Sequence, residues 1–148
     1  MTKKGLIISF SKIDRDPRVL REIGFLQDNY LLTVAGYGLY ANPKVEFIDL
    51  TLPPSEESNP ISRFLYKLGR AKQYFLHGYE QYYWTHPLII LAEEKLSAQK
   101  IDFILANDIF SLPLAYKLAQ KIGAKLVFDA HEYSPREYED RKSTRLNS

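Results

Sequence analysis

The sequence has no cysteine, no glycine-rich phosphate loop and no long apolar run, and each absence excludes a class of protein. Without cysteine, there is neither a disulfide framework nor thiolate chemistry. No stretch approaches the roughly 18 apolar residues that a membrane-spanning helix needs. The apolar run near the start of the chain is too short to be the hydrophobic region of a signal peptide. The loop from Ser11 to Asp16 contains neither G-x-G-x-x-G nor G-x-x-x-x-G-K-[ST], the phosphate-binding patterns of dinucleotide enzymes and P-loop proteins. We therefore expect a soluble, cytoplasmic protein without either of these nucleotide sites.

The net charge of +2 also disappears when the last nine residues are set aside. Residues 140–148 contain three of the 20 basic residues and one of the 18 acidic residues, which leaves 17 of each in the rest of the chain. The sequence therefore gives little reason to expect a nucleic-acid partner. The peptide from Asp140 to Ser148 resembles one reading frame of a common sequencing adaptor. We expect residues 1–139 to be the authentic domain and 140–148 a non-native tail, with a natural polar tail as the alternative.

The first part of the chain alternates strands with a helix. Apolar runs with β-branched residues predict the strands. The helix is expected to begin at Pro17, because Asp16 is a favoured N-cap residue and proline is favoured at the first helical position. Its polar side, which includes Glu22, is assigned to solvent. The predicted elements are strands at 5–10, 31–36 and 45–49 and a helix at about 17–28.

The second part of the chain repeats this alternation. A helix that Ser111 caps and Gly123 closes is expected between strands at 101–106 and 126–129, and a further helix is expected at about 87–99. A β-α-β unit brings the ends of its strands to the same edge of a parallel sheet. The predicted fold is α/β, Rossmann-like and doubly wound, with a mainly parallel sheet.

The stretch from Ile61 to Trp84 combines basic and aromatic residues and has two interpretations. It holds four basic residues against one acid, with tyrosine and tryptophan that suit a headgroup interface, so it is a candidate for peripheral membrane contact at the inner face of the membrane. The alternative, which we favour, is a helix that packs its apolar face on the sheet and turns Lys and Arg to solvent.

Polar residues follow both strands of the second β-α-β unit, where open α/β sheets bind their ligands. Asn107 and Asp108 follow the first of these strands, and His131 and Glu132 follow the second. A histidine there can exchange a proton near neutral pH, and an adjoining carboxylate can bind a hydroxyl. A purely structural His-Glu pair is the alternative. No metal site is predicted, because His77 and His86 show no metal-binding spacing, and no G-x-S-x-G begins a serine triad.

The N-terminus of the first helix is a second candidate for ligand binding. Backbone N–H groups and the helix dipole favour anions there, and Arg18 can add a charge-assisted contact to a phosphate or carboxylate. The alternative is that Asp16 acts only as a cap while Arg18 is solvated.

Four segments, taken in order, resemble the N-terminal domain of GT-B glycosyltransferases, most nearly the family 4 type. They are Asp16-Pro-Arg-Val-Leu-Arg-Glu22, the strand ending Val34-Ala-Gly36, Ala106-Asn-Asp-Ile-Phe-Ser-Leu-Pro113 and Val127-Phe-Asp-Ala-His-Glu132. The resemblance covers roughly residues 5–139. Many members of the family have a glycine pair in the first loop, where this chain has residues 11–16.

The resemblance implies one half of a retaining, two-domain enzyme. The half with this sequence would bind the acceptor, a glycan or lipid-linked glycan of polysaccharide biosynthesis. A C-terminal domain, absent from these 148 residues, would bind the nucleotide-sugar donor. His131 and Glu132 would lie in the cleft near the transferred sugar, with Asp16, Arg18, Asn107 and Asp108 as further cleft residues. The resemblance implies no cofactor and no essential metal.

Two alternatives remain open at this point. One is half of a sugar-nucleotide epimerase with the same GT-B architecture. The other is a stand-alone flavodoxin-like binding module, against which the missing glycine-rich loop counts.

Overall fold

Five parallel strands form one sheet in the computed structural model, which describes residues 2–53 and 78–130. The strands are β1 (Lys4–Lys12), β2 (Leu31–Tyr37), β3 (Val45–Asp49), β4 (Phe103–Ala106) and β5 (Lys125–Phe128). The helices with defined bounds are α1 (Pro17–Leu26), α2 (Pro87–Leu96) and α3 (Leu112–Ile122), and a short 3₁₀ turn spans Ile13–Arg15.

The strand order is β3-β2-β1-β4-β5, and every neighbouring pair is parallel. From β1 the chain passes through α1 to β2 on one side, whereas from β4 it passes through α3 to β5 on the other side. The two crossovers therefore diverge between β1 and β4, which is the switch point of a doubly wound sheet. This arrangement confirms the predicted Rossmann-like α/β fold.

The central strand β1 is buried over 5–9, as expected for a strand with a neighbour on each side and cover on both faces. Apolar side chains from β1, the 3₁₀ turn, α1 and β2 form one core cluster. Burial of each of these side chains contributes roughly 1.5–3 kcal/mol. The buried members of the cluster are Ile7, Ile13, Val19, Ile23, Leu32 and Val34. On α3, the buried residues are Leu114, Ala115, Leu118 and Ala119.

A close approach between the loop after β1 and strand β2 fixes the path into α1. A Cβ atom on Gly36 would lie 2.4 Å from Cδ1 of Ile13 and 3.0 Å from the backbone oxygen of Ser9. Real side chains do not come so near, so only glycine allows Ile13 to lie there. Because Asp16 follows Ile13 by three residues, this packing also positions the N-cap of α1.

Helix boundaries differ from the sequence prediction in three places. Helix α1 ends at Leu26, two residues early, where the amides of Asn29 and Tyr30 both donate to the Leu26 carbonyl. Helix α2 ends at Leu96, and the hydroxyl of Ser97, its C-cap residue, donates to the Glu93 carbonyl at 2.6 Å.

The third difference concerns the cap of α3. Ser111 occupies the N-cap position, but the prediction that its side chain caps the helix is wrong. Its hydroxyl instead donates to the Asp108 backbone oxygen at 2.9 Å. At the other end, Gly123 takes the left-handed conformation, with φ of 72°, that its predicted role requires.

The chain divides into two units, and the sheet belongs to the unit made of Met1–Asp49 and Gln99–Ser148. The second unit, Leu50–Ala98, contains α2 and a helical stretch at 78–84, in which Tyr83 is buried and Tyr79 is exposed. Most of the stretch from Ile61 to Trp84 lies outside the described residues, so both of its interpretations stay predictions. Within the described residues, no helix has the length and apolar character to cross a membrane.

Candidate functional site

The polar residues after β4 and β5 lie together at the carboxyl edge of the sheet. Parallel pairing continues beyond both strands, since the Asn107 amide donates to the Ile8 carbonyl at 3.0 Å and the Asp129 amide donates to the Ala106 carbonyl at 2.9 Å. Asn107 is therefore hydrogen-bonded to β1 at the switch point, and Asp129 is hydrogen-bonded to the end of β4. The expectation that these two strand ends share one edge is confirmed.

Asp16 is the N-cap of α1, as predicted. Its Oδ1 atom accepts hydrogen bonds from the backbone amides of Arg18 at 3.1 Å and Val19 at 3.5 Å. Burial by itself would raise the pKa of Asp16, but hydrogen bonds from Arg18 and Ser11 outweigh it and hold the pKa below its ordinary value. Asp16 thus stays ionised, and it satisfies amides that the first turn of a helix leaves without partners.

The guanidinium of Arg18 forms a two-point ion pair with Asp16, with Nε 3.2 Å from Oδ1 and Nη2 3.3 Å from Oδ2. This geometry is the strong, planar form of the arginine–carboxylate contact. Arg18 retains side-chain exposure of 36%, so part of it still reaches solvent. Its predicted contact with an anionic ligand stays a prediction.

Asp108 joins the end of β1 to the turn before α3. Its Oδ2 atom accepts from the Phe10 amide at 3.1 Å, and its Oδ1 atom accepts from the Ser111 amide at 2.7 Å. Each carboxylate oxygen thus has one backbone partner. The partner of Oδ2 is 98 residues away in the sequence, and the partner of Oδ1 is 3 residues away. Asp108 holds the switch point together, and its predicted contact with a ligand stays a prediction.

Three side chains from separate elements meet beside this point, and we call Glu22, Asn107 and Asp129 the acceptor cluster. The Nδ2 atom of Asn107 donates to Oε2 of Glu22 at 2.6 Å. Asp129 lies within hydrogen-bonding reach of the same glutamate. Asn107 is only 2% exposed, and its Oδ1 atom has no hydrogen-bond partner among the residues that the structure describes.

Partial burial raises the pKa of Glu22, and the neighbouring charge and hydrogen bond of Asp129 raise it further. The hydrogen bond from Asn107 opposes this rise without cancelling it. The assignment of Glu22 to the solvated side of α1 is therefore wrong, because the helix directs it toward the strand ends, where it is half-buried.

We expect Glu22→Gln to stabilise the protein at neutral pH and to weaken the pH dependence of its stability. Since the folded-state pKa of Glu22 is raised, the folded protein holds more protons than the unfolded one, and stability falls as pH rises from about 4.3 through the raised pKa. Glutamine keeps an oxygen for Asn107 and removes the charge beside Asp129. Urea unfolding between pH 4 and 8 measures the difference, which should shrink toward pH 4.

The reference for this experiment is Glu46→Gln, which removes a carboxylate that accepts a hydrogen bond from Thr33 on the β2–β3 side of the sheet. If Glu22→Gln and Glu46→Gln gave the same change at every pH, Glu22 would have no special environment, and the description of the acceptor cluster would be wrong.

An aromatic group lies on the other side of the switch point. The ring of Phe10, at the end of β1, stacks on Tyr37 with centroids 6.4 Å apart and meets Phe110 edge-on at 5.8 Å. Burial raises the pKa of Tyr37, and the charge of Asp108 raises it further. Tyr37 therefore stays protonated at neutral pH, and its hydroxyl can donate a hydrogen bond.

The structure brings together Asn107, Asp108 and the Asp16–Arg18 pair at this edge, whereas His131 and Glu132 lie outside the described residues. The roles predicted for those last two residues stay predictions. Sequence reasoning missed Glu22 and Tyr37. For Glu22, a signal was available, since a helix that begins directly after the first strand brings its first turns close to the strand ends. In the described part of the chain, no three His, Cys, Asp or Glu side chains are grouped so that they could hold a metal ion.

Comparisons with known proteins add little to this description. No protein-family model matches the chain, and no curated protein matches it. Among solved structures, the chain is similar to the C-terminal domain of a hydrogenase from Pyrococcus furiosus, with a TM-score of 0.45 and 9% identity over 86% of this chain and 90% of that one. A likeness at this level says nothing about activity. The fold and the geometry of its carboxyl edge are therefore the basis for a functional proposal.

Proposed function

We propose that this chain is the acceptor-binding domain of a GT-B type glycosyltransferase. Together with a donor-binding domain, it would move a sugar from a nucleotide-sugar to a hydroxyl of a glycan or lipid-linked glycan. The observation that carries the proposal is the chemistry of the switch point. That edge has carboxylate and amide oxygens, which can accept hydrogen bonds from hydroxyl groups. The sequence contains no glycine-rich loop that would hold a phosphate.

The charges at the edge favour the acceptor over the donor. Glu22, Asp108 and Asp129 are acidic, whereas the guanidinium of Arg18 is held by Asp16. A diphosphate placed among these groups would meet net negative charge, so its leaving-group charge needs stabilisation from the other domain. A hydroxyl of the acceptor substrate, in contrast, can donate a hydrogen bond to these carboxylate oxygens.

Two residues beyond the described range complete the proposal. His131 and Glu132 follow Asp129 by two and three positions in the sequence. The proposed role of His131 is a hydrogen bond to the transferred sugar or its acceptor, with Glu132 assisting. Neither role requires a resident metal or cofactor.

The test begins with the source gene, read past the codon for Glu139. We expect the frame to continue into a second Rossmann-like domain, and the longer product to transfer sugar from one of a panel of UDP- and GDP-sugars. The 148-residue chain assayed in parallel should give no transfer, since it lacks the proposed donor site. In the longer enzyme, His131→Ala should lower turnover if His131 acts in the cleft.

Other outcomes would overturn the proposal. Sugar transfer by the 148-residue chain alone would refute the division between acceptor and donor domains. A natural message that ends at Ser148, together with micromolar binding of a flavin or nucleotide by this chain, would favour a flavodoxin-like binding module. Epimerisation of a nucleotide-sugar by the longer product would favour the epimerase alternative.

A further inference from the structure

Exposed lysines lie along the amino edge of the sheet, where the strands begin, opposite the edge that holds the acceptor cluster. They are Lys3 and Lys4 at β1, Lys44 directly before β3, Lys100 shortly before β4, and Lys125 at the start of β5. Neighbouring strands lie about 4.8 Å apart, so the five strands spread these side chains over an edge about 19 Å wide. We call this the lysine edge.

Four of these lysines have no ion pair within the described parts of the chain. They are Lys3, Lys4, Lys100 and Lys125. The fifth, Lys44, lies 2.7 Å from Asp28, but both side chains are more than half exposed, so water weakens their attraction. The lysine edge therefore carries positive charge that the described residues do not neutralise.

The acids that lie beside these lysines are fewer, and each accepts a hydrogen bond. Besides Asp28, they are Glu46, which accepts from the Thr33 hydroxyl at 3.0 Å, and Asp102, which accepts from the backbone amide of Lys4 at 2.7 Å. The carboxyl edge has the opposite character, because the acceptor cluster brings two carboxyl groups together there. An anionic partner is therefore attracted to the amino edge, away from the acceptor cluster.

A groove of about 440 Å³ crosses the lysine edge. Its walls come from the starts of β1, β2 and β3 and from the segment before β4, so it extends over four neighbouring strands, about 14 Å. Lys4 and Lys44 line it together with the apolar side chains of Leu31, Pro43, Val45 and Ile101. Leu31 is 56% exposed, which is unusual for a leucine in a strand. A groove with both cations and apolar walls suits a ligand that is both acidic and apolar.

An extended peptide fits this groove better than a small anion or a lipid surface. Inorganic phosphate would leave the apolar walls in water, and a bilayer surface is too broad to enter a groove. Lysine ammonium groups attract carboxylates as point charges, without the fixed two-point geometry of arginine, so they suit separate side-chain carboxylates. About four extended residues, at about 3.3 Å each, cover the length of the groove.

We infer that the lysine edge binds an extended segment of a partner protein in which apolar and acidic residues alternate. The apolar side chains of this segment pack against Leu31 and Ile101, and its carboxylates lie near Lys4 and Lys44. The remaining lysines add a longer-range attraction, which speeds association and weakens as salt is added. This inference does not rest on the proposed function, because the two surfaces lie at opposite ends of the strands.

The experiment uses the isotope-labelled 148-residue chain and nuclear magnetic resonance. A short peptide that alternates leucine and glutamate, blocked at both ends, is titrated while the backbone amides of Lys4, Leu31 and Val45 are followed. The peptide should shift these signals, and its affinity should fall several-fold between about 50 and about 300 mM salt.

Two variants and a control separate the contributions of charge and apolar contact. Lys4→Glu should weaken peptide binding about tenfold, because it places a like charge in the groove. Leu31→Ser should also weaken binding, but it should leave the salt dependence unchanged. Lys12→Glu makes the same charge reversal at the other end of β1 and should leave binding unchanged.

Three results would overturn the inference. If the peptide shifts none of these amides at millimolar concentration, the lysines only keep the edge solvated. If the peptide binds Lys4→Glu as well as the wild type, or if a peptide of alternating leucine and lysine binds equally well, charge does not select the partner. If inorganic phosphate or phosphatidylglycerol vesicles shift the same amides and the peptide does not, the edge binds phosphate groups. Failure of the transferase proposal is seen separately, in the transfer assay of the longer enzyme.

Discussion

Asn107→Asp is expected to destabilise the protein by about 3 kcal/mol or more at pH 7.5, because it places a third carboxyl group in the acceptor cluster. The residue at this position is 2% exposed, and its Nδ2 atom donates a hydrogen bond to Glu22. Aspartate removes this donor and sets a new charge against those of Glu22 and Asp129. Urea unfolding monitored by circular dichroism gives the loss of free energy directly.

The pH dependence of this loss has a definite sign. Burial and neighbouring carboxylates raise the folded-state pKa of the new carboxyl, so it costs stability as pH rises and much less when protonated. The deficit should therefore be smaller at pH 5 than at pH 7.5. Asn29→Asp makes the same change at an exposed position after α1 and should cost less than about 1 kcal/mol. An Asn107→Asp protein as stable as the wild type at pH 7.5 would show that position 107 is well solvated.

Gly36→Val is expected to cost about 3 kcal/mol, because the valine carbons would occupy the space that Ile13 fills. Ile13 is fully buried, and the Ser9 backbone limits movement on the other side. The loop after β1 would be displaced from β2, and the N-cap of α1 would move with it. Unfolding by urea measures this loss as well.

A double-mutant cycle identifies the cause of that loss. Ile13→Ala alone should cost about 2–5 kcal/mol by leaving a cavity, and valine at position 36 can fill part of it. The double variant should therefore be more stable, by about 1 kcal/mol or more, than the sum of the single effects allows. Strict additivity would mean that Gly36 is needed for some reason other than its contact with Ile13.

The sequence predicted the sheet well because burial on both faces leaves a simple signature. The apolar runs at 5–10 and 31–36 lie in β1 and β2 as expected, and Asp16 caps α1. Parallel strands separated by helices also imply that polar residues after neighbouring strands share an edge. That logic predicted that the ends of β4 and β5 share one edge, which is where the structure places Asn107 and Asp129.

Partnerships between side chains were beyond the same reasoning. Helical periodicity divides α1 into an apolar and a polar side, but it cannot tell which polar residue lies over the strand ends, and Glu22 was assigned to solvent for that reason. Nor does it show whether a hydroxyl caps its own helix, as expected for Ser111, or contacts the preceding turn, as found. Such choices depend on distances of a few tenths of an ångström between segments far apart in the chain.

The pairing of β1 with β4 has a consequence for how the chain folds. This pairing joins Gly5 to Phe103, and the hydrogen bond between Glu22 and Asn107 spans 85 residues. Each β-α-β half closes short loops, whereas joining the halves closes a long one, and contacts distant in sequence slow folding. Neither half contains the whole acceptor cluster, since Glu22 comes from one and Asn107 with Asp129 from the other. A chain whose two halves have not joined therefore lacks the complete cluster.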